Sequence, residues 1–185
     1  MSDLKKVDNN SYTATLQIGA SAFKQWLWYV TNVVFFKNAF SISSSLKVSL
    51  LRCFGANVGK GVVIKPCVNI KYPWKLSIGN YAWIGEQVWI DNIAQVTIMD
   101  NVCLSQGALL LTGNHNYKKS SFDLLPGTII LEEGVWIGAK AIVCPGVVGG
   151  SHAILSVASV ANGNLLPYGI YKGNPALKVG DRVIE

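Results

Sequence analysis

Charge is scarce in this chain. Only 14% of its 185 residues are Asp, Glu, Lys or Arg, while 50% are hydrophobic. So apolar a composition excludes disorder over most of the length and predicts one domain with a substantial core, with room for an appended arm. Cysteine is sparse and scattered: Cys53, Cys67, Cys103 and Cys144 form no C-x-x-C pair. That spacing suits neither a zinc site nor a redox motif, and four cysteines are too few for a disulfide scaffold. Long hydrophobic runs are also missing. The longest, "WLWYVTNVVFF" (Trp26–Phe36), is about half of what a bilayer crossing needs. The start, "MSDLKKVDNNSYTATLQ", is polar and reads without a signal peptide. The expected compartment is therefore the cytoplasm, with reduced, buried thiols. A net charge of +6 favours anionic partners. The basic clusters are short, however, so nucleic acid is not expected among them.

What the chain has instead is repetition. From Val58 onward an aliphatic residue returns every six positions, with a small or aliphatic residue four further on. The units begin at Val58, Ile64 and Ile70, then Ile78, Ile84 and Ile90, then Ile98, Leu104 and Leu110. They resume at Leu131, Ile137 and Val143, with a degenerate "GGSHA" at Gly149 and a last unit at Leu155. Six residues fit a short strand plus a corner, three to a coil, with each aliphatic pointing into a prism-shaped interior. Asn, Asp and Gly at the corners permit tight bends, and coils stack at the ordinary strand spacing of about 4.8 Å. The spacing predicts an all-β solenoid.

The first three sets start at 58, 78 and 98, where three hexads need two residues fewer, so the corner after each third face is widened. An excursion over about 112–128, containing "TGNHNYKK", leaves from that same corner one coil later. It holds His115, one of two histidines in the chain. Residues 1–52 form a distinct N-terminal arm. Within it, residues 21–52 carry aromatics at near-helical spacing and the helix-start signal "SISSS", predicting two helices, the second around Ser45–Phe54. Their expected role is to cover the open end of the solenoid. The alternative is a membrane-touching interfacial patch built on Trp26, Trp28, Phe35 and Phe36 between Lys24 and Lys37. The solenoid is expected over 53–166, followed by a C-terminal tail over 167–185 that returns along it.

The segments "VGKGVVI", "SIGNYAWIGEQVWIDN", "TGNHNY", "GVWIGAKAIVCPGV" and "LPYGIYKGNPA" resemble the hexapeptide-repeat acyltransferases. Within them the chain is most similar to the colanic-acid-biosynthesis acetyltransferases, aromatic-rich N-terminal arm included. The resemblance runs from about Leu51 to the C-terminus and implies a left-handed parallel β-helix. It further implies transfer of an acetyl group from acetyl-CoA to a sugar hydroxyl, in exopolysaccharide synthesis. It also implies a homotrimer with active sites between neighbouring solenoids and no metal; solenoid enzymes that bind zinc through three histidines are set aside by a chain with two. An amine acceptor, or a non-catalytic scaffold in polysaccharide assembly, are the alternatives.

By the same resemblance His115 maps onto the catalytic base. Read alone, its position also suits a surface histidine with no role. Its imidazole matches the task of deprotonating a hydroxyl near neutral pH. Asp91, in "WIDN", maps onto a partner that orients the imidazole or holds acceptor hydroxyls; a solvated corner aspartate is the plain reading. Asn114 and Tyr117 are candidates to shape the acceptor pocket. Gly138, Ala139 and, one coil on, Val157 are candidates for backbone contacts with the pantetheine arm. Lys140, Lys172 and Lys178 are candidates for its phosphates, or simply solvated lysines. His152 is expected to be structural. Met99 stands where the family has glycine, and the last coils lack the usual isoleucine and glycines.

Overall fold

The computed structural model describes residues 5–12, 16–40 and 42–185. Parts of the polar start, and Ser41 of the helix-start signal, lie outside them. Every inward aliphatic of the repeat lands where a period of six puts it. The second face shows the rule best: Ile64, Ile84, Leu104, Ile137 and Leu155 form one column, each fully or almost fully buried. The residue before each of these, such as Trp83 or Trp136, points outward, because neighbouring side chains on a strand take opposite faces.

Three parallel sheets result. The first face stacks Asn57–Val58, Leu76–Ile78, Val96–Ile98, Ile129–Leu131 and Val148–Gly149. The second stacks Val63–Ile64, Trp83–Ile84, Cys103–Leu104, Trp136–Ile137, Ile154–Leu155 and Gly169–Lys172. The third stacks Asn69–Ile70, Trp89–Asp91, Leu109–Leu111, Ile142–Val143 and Val160–Ala161. The degenerate unit keeps its rung: Gly149 is buried and pairs with Leu131. Met99 likewise leaves its coil intact, its N–H donating to Leu131 O at 2.8 Å.

The widened corner is held by buried polar side chains rather than by apolar packing. The Asn92 side chain is fully buried; its Oδ1 accepts from Tyr72 N–H at 2.9 Å and its amide donates to Tyr72 O and Lys75 O. One coil later the Thr112 hydroxyl donates to Asp91 O at 2.9 Å and accepts from Ala94 N–H. Both groups are satisfied, as burial demands.

An uncovered first coil would present three rows of open carbonyls. The arm closes all three faces. Helix α1 (Ala22–Thr31), started by Ser21 and continued by a π turn over Asn32–Phe36, sends the Trp28 indole N–H to Ile70 O at 2.9 Å. Helix α2 (Ser44–Cys53) sends the Lys47 ammonium to Ile64 O and Lys65 O, and the Arg52 guanidinium to Val58 O and Gly59 O. Lys47 is wholly buried, and burial pushes its ammonium below the usual lysine range. Capping is thus the role the packing gives the arm. No described helix is long and apolar enough to cross a membrane.

The tail meets its expectation only in part: it first extends the solenoid, and Arg182 alone reaches back, donating to Gly134 O and His152 O. Gly169–Lys172 adds a further rung to the second face, and Leu177–Asp181 pairs antiparallel with it, covering that edge. The expected burial of the thiols fails. All four are free, but Cys53 is exposed and the others are half-buried, since Cys103 sits at an outward strand position.

Candidate functional site

The excursion after Leu111 folds as a β-hairpin, Gly113–His115 against Leu124–Pro126, with His115 opposite Leu124. At its tip the Lys119 ammonium and the Asp123 carboxylate meet at 2.8 Å, and Ser121 Oγ donates to the same carboxylate at 2.7 Å. Lys119 first, and Ser121 next, hold the Asp123 carboxyl below the usual carboxylate range. Phe122 lies between these residues with φ +50°, the left-handed region that bulky residues rarely enter. That conformation aims both its ring and its carbonyl at His115. The rings stack with centroids 4.4 Å apart and 7° between planes, and His115 Nδ1 lies 2.8 Å from Phe122 O.

A carbonyl oxygen only accepts, so Nδ1 carries the proton and the neutral ring presents Nε2 as a lone pair. The function foreseen for Asp91, orienting the imidazole, is therefore met within the chain by Phe122 O. Asp91 is where the register puts it, paired with Leu111 at the root of the excursion. Its carboxylate instead faces Lys71, whose Nζ lies 2.8 Å from Oδ1, off the line of a hydrogen bond. Asn114 also has another task, its Oδ1 accepting from His115 N–H at 2.8 Å. Tyr117 is 75% exposed. The cleft at His115, about 320 Å³, is lined by Asn9, Tyr12, His115 and Phe122. The arm thus reaches the loop, tied there by Asp8 N–H to Ser120 O at 2.9 Å. Sequence reasoning missed Phe122 and Tyr12, because neither follows the repeat.

Gly138, Ala139 and Val157 do come together. They line one slot of about 360 Å³ with Ser105, Gln106 and Trp136. Close approach is real at Gly138, where an added Cβ would stand 2.6 Å from Val157 N and 2.8 Å from Leu155 O. Its N–H is not free for a ligand, however, because it donates to Leu155 O at 2.7 Å. The corner geometry frees the next residue instead. At each such corner the left-handed residue (Gly107, Lys140, Ala158) donates to the coil before it, while Gln106, Ala139 and Val157 donate to no backbone carbonyl among the described residues. All three residues line the slot, and unpaired N–H groups there suit a thin amide-bearing chain such as pantetheine. Lys140 follows Ala139 in the chain but is not among the residues that line the slot. Lys172 and Lys178 stand outside its lining, on the hairpin that ends the solenoid, and Lys178 is already paired with Asp181 at 2.6 Å.

His152 makes contacts of the kind a structural histidine makes. Its Nδ1 meets Ser151 Oγ at 2.7 Å and its ring stacks on Tyr168. Among the described residues no group of three or more His, Cys, Asp and Glu is placed to hold a metal ion.

No protein-family model matches the sequence. The chain is 34% identical over 165 residues to the colanic acid biosynthesis acetyltransferase WcaF of Escherichia coli K12, spanning 89% of this chain and 91% of that protein. It is 26% identical over 130 residues to the galactoside O-acetyltransferase of the same strain, over 69% of this chain and 64% of that protein. In fold it is similar to a hexapeptide-repeat-containing acetyltransferase of Vibrio cholerae O1 biovar eltor, crystallised with acetyl-coenzyme A. The TM-score is 0.78 at 22% identity, over 88% of this chain and 91% of that one. A galactoside acetyltransferase in complex with coenzyme A gives a TM-score of 0.75 at 22% identity, over 86% of this chain and 80% of that one.

Proposed function

The chain belongs to the hexapeptide-repeat acetyltransferases, left-handed parallel β-helix enzymes that use acetyl-CoA, and from that premise we propose that it acetylates a sugar hydroxyl with His115 as the base. The contact between Nδ1 and Phe122 O carries this reading, since it leaves Nε2 free to take a proton. Nε2 removes the acceptor's hydroxyl proton as that oxygen bonds to the thioester carbonyl carbon. The Phe122 carbonyl then stabilises the imidazolium. When the tetrahedral oxyanion collapses and the C–S bond breaks, Nε2–H protonates the departing thiolate. Such positioned proton transfer contributes a factor of about 10²–10⁴. Transfer is direct, because no cysteine lines the His115 cleft. An open N–H of Ala139 or Val157 is suited to the oxyanion.

The His115 cleft and the slot share no lining residue within one chain. We therefore place the reaction at a seam between copies in a homotrimer, the slot of one solenoid facing the histidine of its neighbour. The names of the relatives, a galactoside acetyltransferase and a colanic acid enzyme, support a sugar acceptor in exopolysaccharide synthesis. The use of acetyl-CoA as donor supports a cytoplasmic reaction.

Mass spectrometry of acceptor sugars after incubation with acetyl-CoA, beside the His115→Ala variant, tests the proposal. The expected product is an ester, lost in the variant. Acetyl found only on amines, or no transfer to any sugar, would overturn it.

A further inference from the structure

A separate cleft of about 470 Å³ lies where α1 and the π turn cross the third face. Among the described residues Asn32 Oδ1 is a buried oxygen with no hydrogen-bond partner, and Asp91 Oδ1 has only the Lys71 ammonium, 2.8 Å away and off hydrogen-bond geometry; both residues line this cleft. Asn32 is only 6% exposed, and its amide is fixed by donating to Asn69 Oδ1 at 2.8 Å, so its own oxygen is left over. Buried acceptors left open are costly and rare. A ligand hydroxyl is a donor that would satisfy Asn32 Oδ1 and add a hydrogen bond to the paired Asp91 carboxylate. The walls suit the same ligand: Trp26, Tyr29 and Trp89 line the cleft with well-exposed rings, and aromatic faces stack against the C–H faces of a sugar ring.

Charge narrows the class. No aspartate or glutamate stands between Asp8 and Glu86, a stretch holding eight lysines and arginines. Two of these, Lys37 and Lys71, line the cleft, and Asp91 offsets only one of them. The cleft is therefore net positive in a region without acidic counterweight. Asp91 pairs with Leu111, where the His115 excursion leaves the solenoid, which puts the cleft at the root of that loop.

We propose that this cleft binds the acceptor as a sugar ring bearing a negative charge, a carboxylate or a phosphoryl group, with ring hydroxyls donating to Asn32 and Asp91 and the anion meeting Lys37. Calling the ligand the acceptor rests on the function proposed above; the binding site does not.

The test is calorimetric titration of the full chain, with acetyl-CoA absent, using methyl glucuronide, glucose 1-phosphate, neutral methyl glucoside and inorganic phosphate. At least one charged sugar binds about tenfold or more tighter than the neutral glycoside, as a charge-assisted contact implies, and inorganic phosphate binds more weakly than either charged sugar. Lys37→Met brings charged and neutral sugars to within about threefold of each other, and Trp26→Ala weakens all three sugars by about tenfold. Equal affinity for charged and neutral sugars overturns the proposal. So does phosphate binding as tightly as the sugar phosphate, or no sugar binding at all. Sugar binding without any acetyl transfer would sink the enzymatic reading and leave this one standing.

Discussion

The ring of His115 lies flat on the ring of Phe122, 7° from parallel, while Phe122's own carbonyl oxygen stands 2.8 Å from His115 Nδ1. One residue in a left-handed conformation therefore fixes both the plane and the tautomer of the imidazole, which elsewhere takes a carboxylate and a packing partner.

His115→Ala should lower turnover at least about a hundredfold, the scale of lost general-base catalysis. Thermal unfolding should stay unchanged, because the hairpin lies outside the core. Steady-state kinetics and calorimetry check both halves; activity within a few fold of wild type would remove His115 from its role.

Phe122→Ala keeps the carbonyl but removes the stacked ring. An aromatic pair contributes about 0.5–1.5 kcal/mol, so kcat should fall by roughly two- to tenfold with His115 still protonated at Nδ1. Imidazole nitrogen shifts in NMR spectra report the tautomer directly.

Gly138→Ala drives a methyl group against backbone atoms at 2.6–2.8 Å. The rungs cannot yield as a flexible side chain would, so destabilisation of about 1–3 kcal/mol is expected, as for overpacking. The Tm should fall, and acetyl-CoA affinity with it, since the clash sits in the slot.

The Lys119–Asp123 pair should make the hairpin pH-dependent at both ends. Asp123 is depressed, chiefly by Lys119 and then Ser121, so its contribution is in place above the ordinary carboxylate pKa and is lost as pH falls through the depressed value. Lys119 is raised, chiefly by its hydrogen bond to Asp123 and then by that carboxylate's charge, so its share is lost only as pH rises past the usual lysine range. Amide exchange in residues 112–128, corrected for its intrinsic pH dependence, should be slow and level between about pH 5 and 9. It should quicken below pH 4, and in Asp123→Asn that acid limb should vanish.

Lys47→Ala should cost more than an average surface change, about 1–3 kcal/mol, because it strands the Lys65 carbonyl under the arm and leaves Ile64 O only the 3.4 Å contact from Ser44 Oγ. Lys47→Met fills the space but still removes both ammonium contacts, so it should recover only part. Denaturant unfolding of both variants separates packing from hydrogen bonding.

The solenoid was legible because its rule is local. Ile84 is buried and Trp83 is not, for no reason beyond alternation along a strand and a corner every six residues. The widened corner was legible for the same reason, and with it the departure point of the His115 loop. Asp91 shows where legibility stops. Its register opposite Leu111 follows from counting, but the direction of its carboxylate follows from Lys71 one coil below and from the arm beside it. Gly138 shows the same limit: its smallness was readable, whereas the spending of its N–H on Leu155 needed the next coil in place.

The sequence by itself determined the prism, its inward columns and the corner from which the histidine loop springs, because a repeat carries its geometry in its period. Only the tertiary structure decided what fixes the imidazole, which N–H groups stay open and how the arm seals the first coil. The last two depend on contacts between segments far apart in the chain, and the first on how a hairpin outside the repeat turns; in both cases spacing carries no information and direction is set by whatever the fold brings alongside.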